Sequence, residues 1–271
     1  MKPIAVLGVG PAGLMAAHAL ALKGKMVALF SRGDLDTGPT KSRLGGAQFL
    51  WHPIPGINDP DTPDAEVRYI LCGTSDVYRK KVYGDDPNVL SVSMEHVRHN
   101  EVQQAWNLQA TYDKLWEQLV VGTQVNVDHI GPSWLDNAIE KGWFETVIST
   151  IPAPALCRRT AGLEDGMHHF ISHKVSIATD CVLENLPDNH IVYEGTPDRS
   201  WYRCSKLFGI GGTEWPSGIK PPYANLIAVQ KPIRTTCNCY EGKVIRLGRQ
   251  GTWTKGILTH HAFIGAYDAV Q

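Results

Sequence analysis

No stretch of this chain approaches the roughly 18 consecutive apolar residues that a membrane-spanning helix needs. The opening apolar run, Ile4–Leu7, is also too short for the core of a secretion signal. A charge excess is missing too: 26 basic residues stand against 27 acidic ones. Composition therefore indicates neither a nucleic-acid partner nor an anionic membrane surface, and leaves a nucleotide-containing substrate open. Six cysteines in 271 residues lack the density of a disulfide scaffold, so the expectation is a cytoplasmic protein with reduced thiols. Cys237-Asn-Cys239, beside the pairs His168-His169 and His260-His261, fits no recognised zinc spacing, and no metal is expected. There is no Gly-x-Ser-x-Gly elbow and no Walker phosphate loop, which argues against hydrolase and kinase chemistry. Internal repeats and low-complexity tracts are absent as well.

What is present is concentrated at the start. Ile4–Leu7 has the length and character of a buried strand. It runs into Gly8-Val-Gly10-Pro11-Ala12-Gly13, and an alanine-rich helix over 11–23 follows. Gly8 permits a turn that a Cβ would obstruct, Gly10 lets the backbone approach a diphosphate, and Gly13 lets helix and strand pack closely. The helix offers its unpaired N–H groups and positive dipole end to an anion. Gly24 ends the helix and Met26–Ser31 returns as a second strand, completing a β–α–β unit of mononucleotide-binding size. In such folds an acidic residue at the end of the second strand holds the ribose. Here that place is taken by Ser31, with Arg32 next, a pairing that also suits an NADP 2′-phosphate.

Farther on, strands are expected at 67–71, 123–130, 144–150, 170–179, 190–194, 201–210 and 225–229. Helices are expected at 75–83, 100–119, 133–141 and 258–270. The helix over 100–119 rests on the spacing of Val102, Ala105, Trp106, Leu108, Tyr112, Leu115, Trp116 and Leu119. Val244–Leu247 reads as a strand that turns at Gly248-Arg249-Gln-Gly251-Thr-Trp253.

The opening turn resembles the Gly-x-Gly-Pro-Ala-Gly-Leu form of FAD-dependent oxidoreductases of the glutathione-reductase-like and amine-oxidase-like superfamily. Val147-Ile-Ser-Thr150-Ile-Pro-Ala-Pro resembles that family's late strand and turn, where the chain leaves the cofactor domain. Tyr78-Arg-Lys-Lys81-Val-Tyr-Gly resembles a segment of UDP-galactopyranose mutases. Leu247–Trp253 resembles the same enzymes' last FAD motif, in which a Gly-Arg turn lies against the diphosphate and ribityl chain. The short chain also resembles compact, phage-type flavoproteins.

The resemblance implies an α/β fold: a discontinuous, Rossmann-like FAD-binding domain on a parallel sheet, with a smaller mixed α+β substrate lobe. The first would comprise 1–50, 120–155 and 235–271, and the lobe 51–119 and 156–234. It implies FAD, with NADP the lesser alternative. The cofactor residues would be Gly8, Gly10, Pro11, Ala12, Gly13, Ser31, Arg32, Arg43, Gly46, Val127, Thr150, Gly248, Arg249, Gly251 and Trp253. His52, Tyr78, Lys81 and Tyr202 are the candidates to meet a small-molecule or nucleotide-linked substrate. The leading function is oxidation of an amine- or alcohol-bearing substrate by hydride transfer to flavin. The alternatives are a non-redox, mutase-like or lyase-like flavoenzyme on a nucleotide- or nucleobase-linked substrate, and a non-catalytic NADP-binding sensor. Neither a catalytic acid–base pair nor an oligomeric state follows from the residues.

Overall fold

β1 (Ile4–Leu7) is apolar at every position and buried on both faces, the pattern of a strand inside a parallel sheet. In this computed structural model, which describes residues 2–32, 41, 44, 48–84, 102–164, 168–219, 221 and 226–270, β1 leads into α1 (Pro11–Leu22) and then β2 (Val27–Ser31). Pro11 at the first helical position already has the φ a helix needs. Gly24 ends the turn after the helix with a positive φ. β1 and β2 pair in parallel, Ile4 opposite Val27. Arg43 and Gly46 lie outside the described residues.

The chain continues through β3 (Phe49–Leu50), β4 (Ala65–Gly73), α2 (Ser75–Tyr83), β5 (Val102–Asn107), α3 (Leu108–Leu119), β6 (Asn126–Val127), α4 (Pro132–Glu140) and β7 (Val147–Ser149). A 3₁₀ turn at Ala153–Leu156 then releases it into β8 (Phe170–Ala178), β9 (His190–Gly195), β10 (Arg203–Leu207), β11 (Ile210–Pro216) and β12 (Leu226–Thr235). It returns through β13 (Ile245–Arg246), α5 (Gly248–Thr252) and α6 (His261–Ala269). Two sheets result. A parallel one is ordered β13-β7-β1-β2-β6, and an eight-stranded one is ordered β12-β8-β11-β10-β9-β4-β5-β3. The second sheet is antiparallel except where β4 lies parallel to β9. The α/β class and the parallel sheet are as expected.

Two expectations need correction. The helix read over 100–119 is β5 followed by α3. The Asn107 side chain accepts from the Ala110 N–H and so caps a helix that starts at Leu108. Its amide donates to Asp64, while Ala105 pairs with Ala65, so the preceding residues are held in the sheet. α3 packs on the helices of the parallel-sheet unit. Leu108, Tyr112, Leu115 and Trp116 share a core with Leu14, Ala17 and Leu20 of α1 and Phe263 of α6. Finally, the thiols are not all reduced: Cys181 and Cys204 form a disulfide between β10 and the segment after β8. Alternation along β10 explains the pairing. Arg203 and Ser205 face one side of the sheet, and Cys204 faces the other, beside Trp201 and Trp215.

Candidate functional site

Consecutive parallel strands with the order β7-β1-β2 leave a crevice at their carboxyl ends, where the chain departs on opposite sides of β1. The turn after β1 fills one wall of it. Gly8 has φ +111°, and a Cβ there would stand 2.6 Å from the Thr150 hydroxyl. A Cβ on Gly13 would overlap the Gly8 carbonyl, which keeps the start of α1 against the strand. At Gly10, by contrast, a Cβ would meet nothing within 4 Å. That open side faces the N-terminus of α1, whose first turn carries no acidic residue. The result is an anion cradle built from backbone.

Other groups close around the same turn. The Thr150 amide and hydroxyl both donate to the Leu7 carbonyl, at 2.9 and 3.0 Å. Tyr112 of α3 donates its hydroxyl to the Val9 carbonyl at 3.1 Å. Tyr112 could have been suspected only as a core residue, since nothing in its spacing points to the turn. Ser31 is buried at the end of β2 and stands opposite Val127 of β6, while Arg32 is exposed just beyond.

The far end of the chain arrives at this place. Gly248 has φ +69°, and a Cβ on it would lie 2.8 Å from the Ala12 Cβ. A Cβ on Gly251 would stand 2.6 Å from the Ser149 carbonyl oxygen. α5 is thus wedged between the α1 turn and the end of β7, with no room for a side chain at Gly248 or Gly251. Gly8, Gly10, Pro11, Ala12, Gly13, Thr150, Gly248 and Gly251 converge, with Ser31 and Val127 along the strand ends. Trp253 does not join them. It is buried edge-on against Phe170 at a ring separation of 5.8 Å.

Arg249 leaves this junction in another direction. One guanidinium nitrogen donates to the Pro232 carbonyl at 3.1 Å, and its buried Nε has no partner among the described residues. It lines a cavity of 570 Å³ between the large sheet and the segment 249–259. Phe49, Trp51, Tyr69, Tyr193, Ile177 and Val229 supply much of the apolar wall. Arg203, Glu214 and Lys231 supply charge. Glu214 is taken up by three partners: Arg203, Lys231 and the Tyr202 hydroxyl, the last at 2.6 Å. Burial opposes its ionisation, but Arg203 and Lys231 win and hold its carboxyl down at about 2. Burial pushes Lys231 down to about 8 against the pull of Glu214. Lys255, resting on the Tyr83 ring, is pushed to about 7 by burial and by the neighbouring charges of Arg249 and Lys231. Cations therefore outnumber the one carboxylate on this wall.

The substrate candidates fall elsewhere. Tyr78 is buried beneath the sheet against Tyr193 and Tyr202. The Lys81 ammonium donates to the carbonyls of Glu194 and Trp201, at 3.2 and 3.4 Å. Tyr202 supports Glu214 from behind the cavity wall, and His52 is exposed edge-on against His260. None of the four lines the cavity. The residues that do, Arg203, Glu214 and Lys231, come from three separate strands and carry no linear signal.

Residues 4–85 match the FAD binding domain family. The cofactor is FAD. The glycine cradle and the fit of α5 over it accord with that assignment. Among solved structures, reduced UDP-galactopyranose mutase superposes with a TM-score of 0.52 at 14% identity, covering 100% of this chain and 95% of the other. 2-Methyl-3-hydroxypyridine-5-carboxylic acid oxygenase gives 0.51 at 14% identity, over 98% of this chain and 80% of that one. Aklavinone-11 hydroxylase, in complex with FAD and aklavinone, gives 0.53 at 12% identity, over 99% and 61%. These similarities, all far below 25% identity, show a shared fold. No sequence among characterised proteins matches the chain significantly. Among the described residues, no helix is long and apolar enough to cross a membrane.

Proposed function

We propose that this chain is an FAD-dependent oxidoreductase that removes a hydride from a small amine- or alcohol-bearing substrate anchored in the 570 Å³ cavity by an anionic group. The observation that carries the reading is the double position of Arg249. It follows the Gly248 turn packed on Ala12, and it also lines the cavity with Lys231 and Arg203. A substrate held there lies next to the cofactor turn. Bound FAD supplies the hydride acceptor.

The protein's part is orientation and field. Phe49, Trp51 and Tyr193 offer flat apolar surface for the body of the substrate, excluding water from it. Arg249 and Lys231 supply positive charge for a carboxylate or phosphate, and the Arg249 fork can take it in bidentate fashion. Glu214, already neutralised by two cations and a hydroxyl, is a support for Arg203 and Lys231 rather than a free base. Of the two segments that resemble UDP-galactopyranose mutases, the one at Tyr78–Gly84 makes internal contacts through Tyr78 and Lys81.

The test is anaerobic mixing of the purified flavoprotein with a panel of amines and alcohols, each with and without a carboxylate. Bleaching of the oxidised flavin by acid-bearing members, and much less by neutral analogues, is the expected result. Absence of bleaching throughout, with turnover of a sugar nucleotide only after reduction of the flavin, would move the assignment to the non-redox class.

A further inference from the structure

Away from the cofactor turn, three cysteines and a histidine meet at one point. They are Cys157, His168, Cys237 and Cys239, and their ligand atoms all lie within 4.8 Å of one another. Cys157 Sγ is 3.5 Å from His168 Nδ1 and 3.9 Å from Cys239 Sγ. Cys239 Sγ is 3.7 Å from the same Nδ1. A tetrahedral zinc ion with ordinary Zn–S and Zn–N bonds sets ligand separations of about 3.8 Å between sulfurs and about 3.6 Å between sulfur and nitrogen. These three edges match that tetrahedron. We propose that Cys157, His168, Cys237 and Cys239 form a structural zinc site.

Ligand chemistry favours zinc over harder cations. Three thiolates and an imidazole are soft to borderline donors, and no carboxylate belongs to the group. Four protein ligands also leave no open position, which is the arrangement of structural rather than catalytic zinc. Three thiolates around a divalent ion leave one negative charge. Arg246 answers it, with a guanidinium nitrogen 3.8 Å from Cys237 Sγ and 2.8 Å from the Cys239 carbonyl. A donor of this kind orients the thiolate it faces and stabilises its charge.

The site's place in the fold gives it a purpose. Cys157 follows the 3₁₀ turn where the chain leaves β7 of the parallel sheet. His168 comes two residues before β8, the first strand of the large sheet to follow. Cys237 and Cys239 come just after β12, on the way back to β13. β8 and β12 are paired neighbours, with Phe170 opposite Thr235 at this end. The ion would therefore tie the outgoing and returning connections together where the two sheets join. It would hold the wall bearing Lys231 in register with the turn bearing Arg249. Linear spacing hides this because the four ligands span 82 residues, and only folding brings Cys157 to the Cys237–Cys239 pair.

The experiment is elemental analysis of untagged full-length protein purified under reducing conditions without chelator. Zinc at one equivalent per chain is expected. After zinc removal, Co²⁺ should restore a tetrahedral ligand-field spectrum with thiolate-to-cobalt charge transfer, its ligand-field bands lying to the red of the flavin. His168→Cys should keep the metal and Cys237→Ser/Cys239→Ser should lose it. The wild-type zinc content and cobalt spectrum decide the matter if the double variant does not fold. Protein that stays metal-free after incubation with Zn²⁺ and reductant would overturn the site. So would stoichiometric iron in place of zinc, or a Cys157–Cys239 disulfide found by intact mass in the reduced-buffer preparation.

Discussion

Gly248 and Ala12, 236 positions apart in sequence, touch so closely that the Cβ Gly248 lacks would stand 2.8 Å from the Cβ of Ala12. This contact packs the start of α5 on the turn that opens α1, and we propose that the two turns share one cofactor. It also makes a variant pair informative. Gly248→Ala should cost roughly 1–2 kcal/mol from the positive φ alone, with the clash in addition, and should weaken FAD retention. Adding Ala12→Gly relieves only the clash, so partial recovery of FAD content is expected. Equal FAD content in wild type and Gly248→Ala would show that the two turns do not share the cofactor.

Arg249 is expected to serve the substrate as well as the cofactor side. Arg249→Ala should raise KM for an acid-bearing substrate about tenfold or more, a loss of about 1.4 kcal/mol or more. A neutral analogue should change little. Steady-state kinetics on the matched pair checks this, and equal loss for both would remove the anionic anchor.

Glu214 makes stability depend on acid. Its carboxyl is held at about 2 when folded, against an ordinary value of 4.5. A carboxylate with a depressed folded pKa contributes fully above its unfolded value and loses that contribution as pH falls toward the folded one. Stability should therefore decline between pH 4.5 and 2 partly through this residue. Glu214→Gln should flatten that part of the curve, and at neutral pH it should cost about 3–5 kcal/mol by leaving Arg203 and Lys231 buried without their partner. Chemical denaturation across that range is the measurement.

Lys81 separates local structure from substrate binding. Its ammonium holds two carbonyls, one at Glu194 near the end of β9 and one at Trp201 in the connection to β10. Lys81→Met should lower stability by about 1 kcal/mol and leave kcat and KM nearly unchanged. A large KM effect without loss of Tm would restore the residue to the substrate site.

These cases show what sequence can carry. The glycine turns were legible because backbone conformation and close approach leave glycine few substitutes: Gly8, Gly13, Gly248 and Gly251 each stand where a Cβ would collide. Buried β1 and β2 were legible from continuous apolar runs. β5 was not, since Val102, Ala105, Trp106 and Leu108 also satisfy helical spacing, and only the Asn107 cap and the pairing with β4 decide between them. Of the cavity's charged lining only Arg249 was legible, through its place in the glycine turn. Arg203, Glu214 and Lys231 sit on different strands, and their meeting is a property of sheet order. Tyr78 and Lys81 matched a motif yet turned inward, because a short helix over a sheet must bury one face.

The central claim is that the Gly8–Gly13 turn and the Gly248–Gly251 turn hold FAD. The most direct measurement is the visible spectrum of the purified protein, followed by identification of the cofactor released on denaturation. One FAD per chain, with the two absorption bands of an oxidised flavin, is the predicted result. A colourless protein that takes up no FAD, yet gains thermal stability from NADPH, would contradict it.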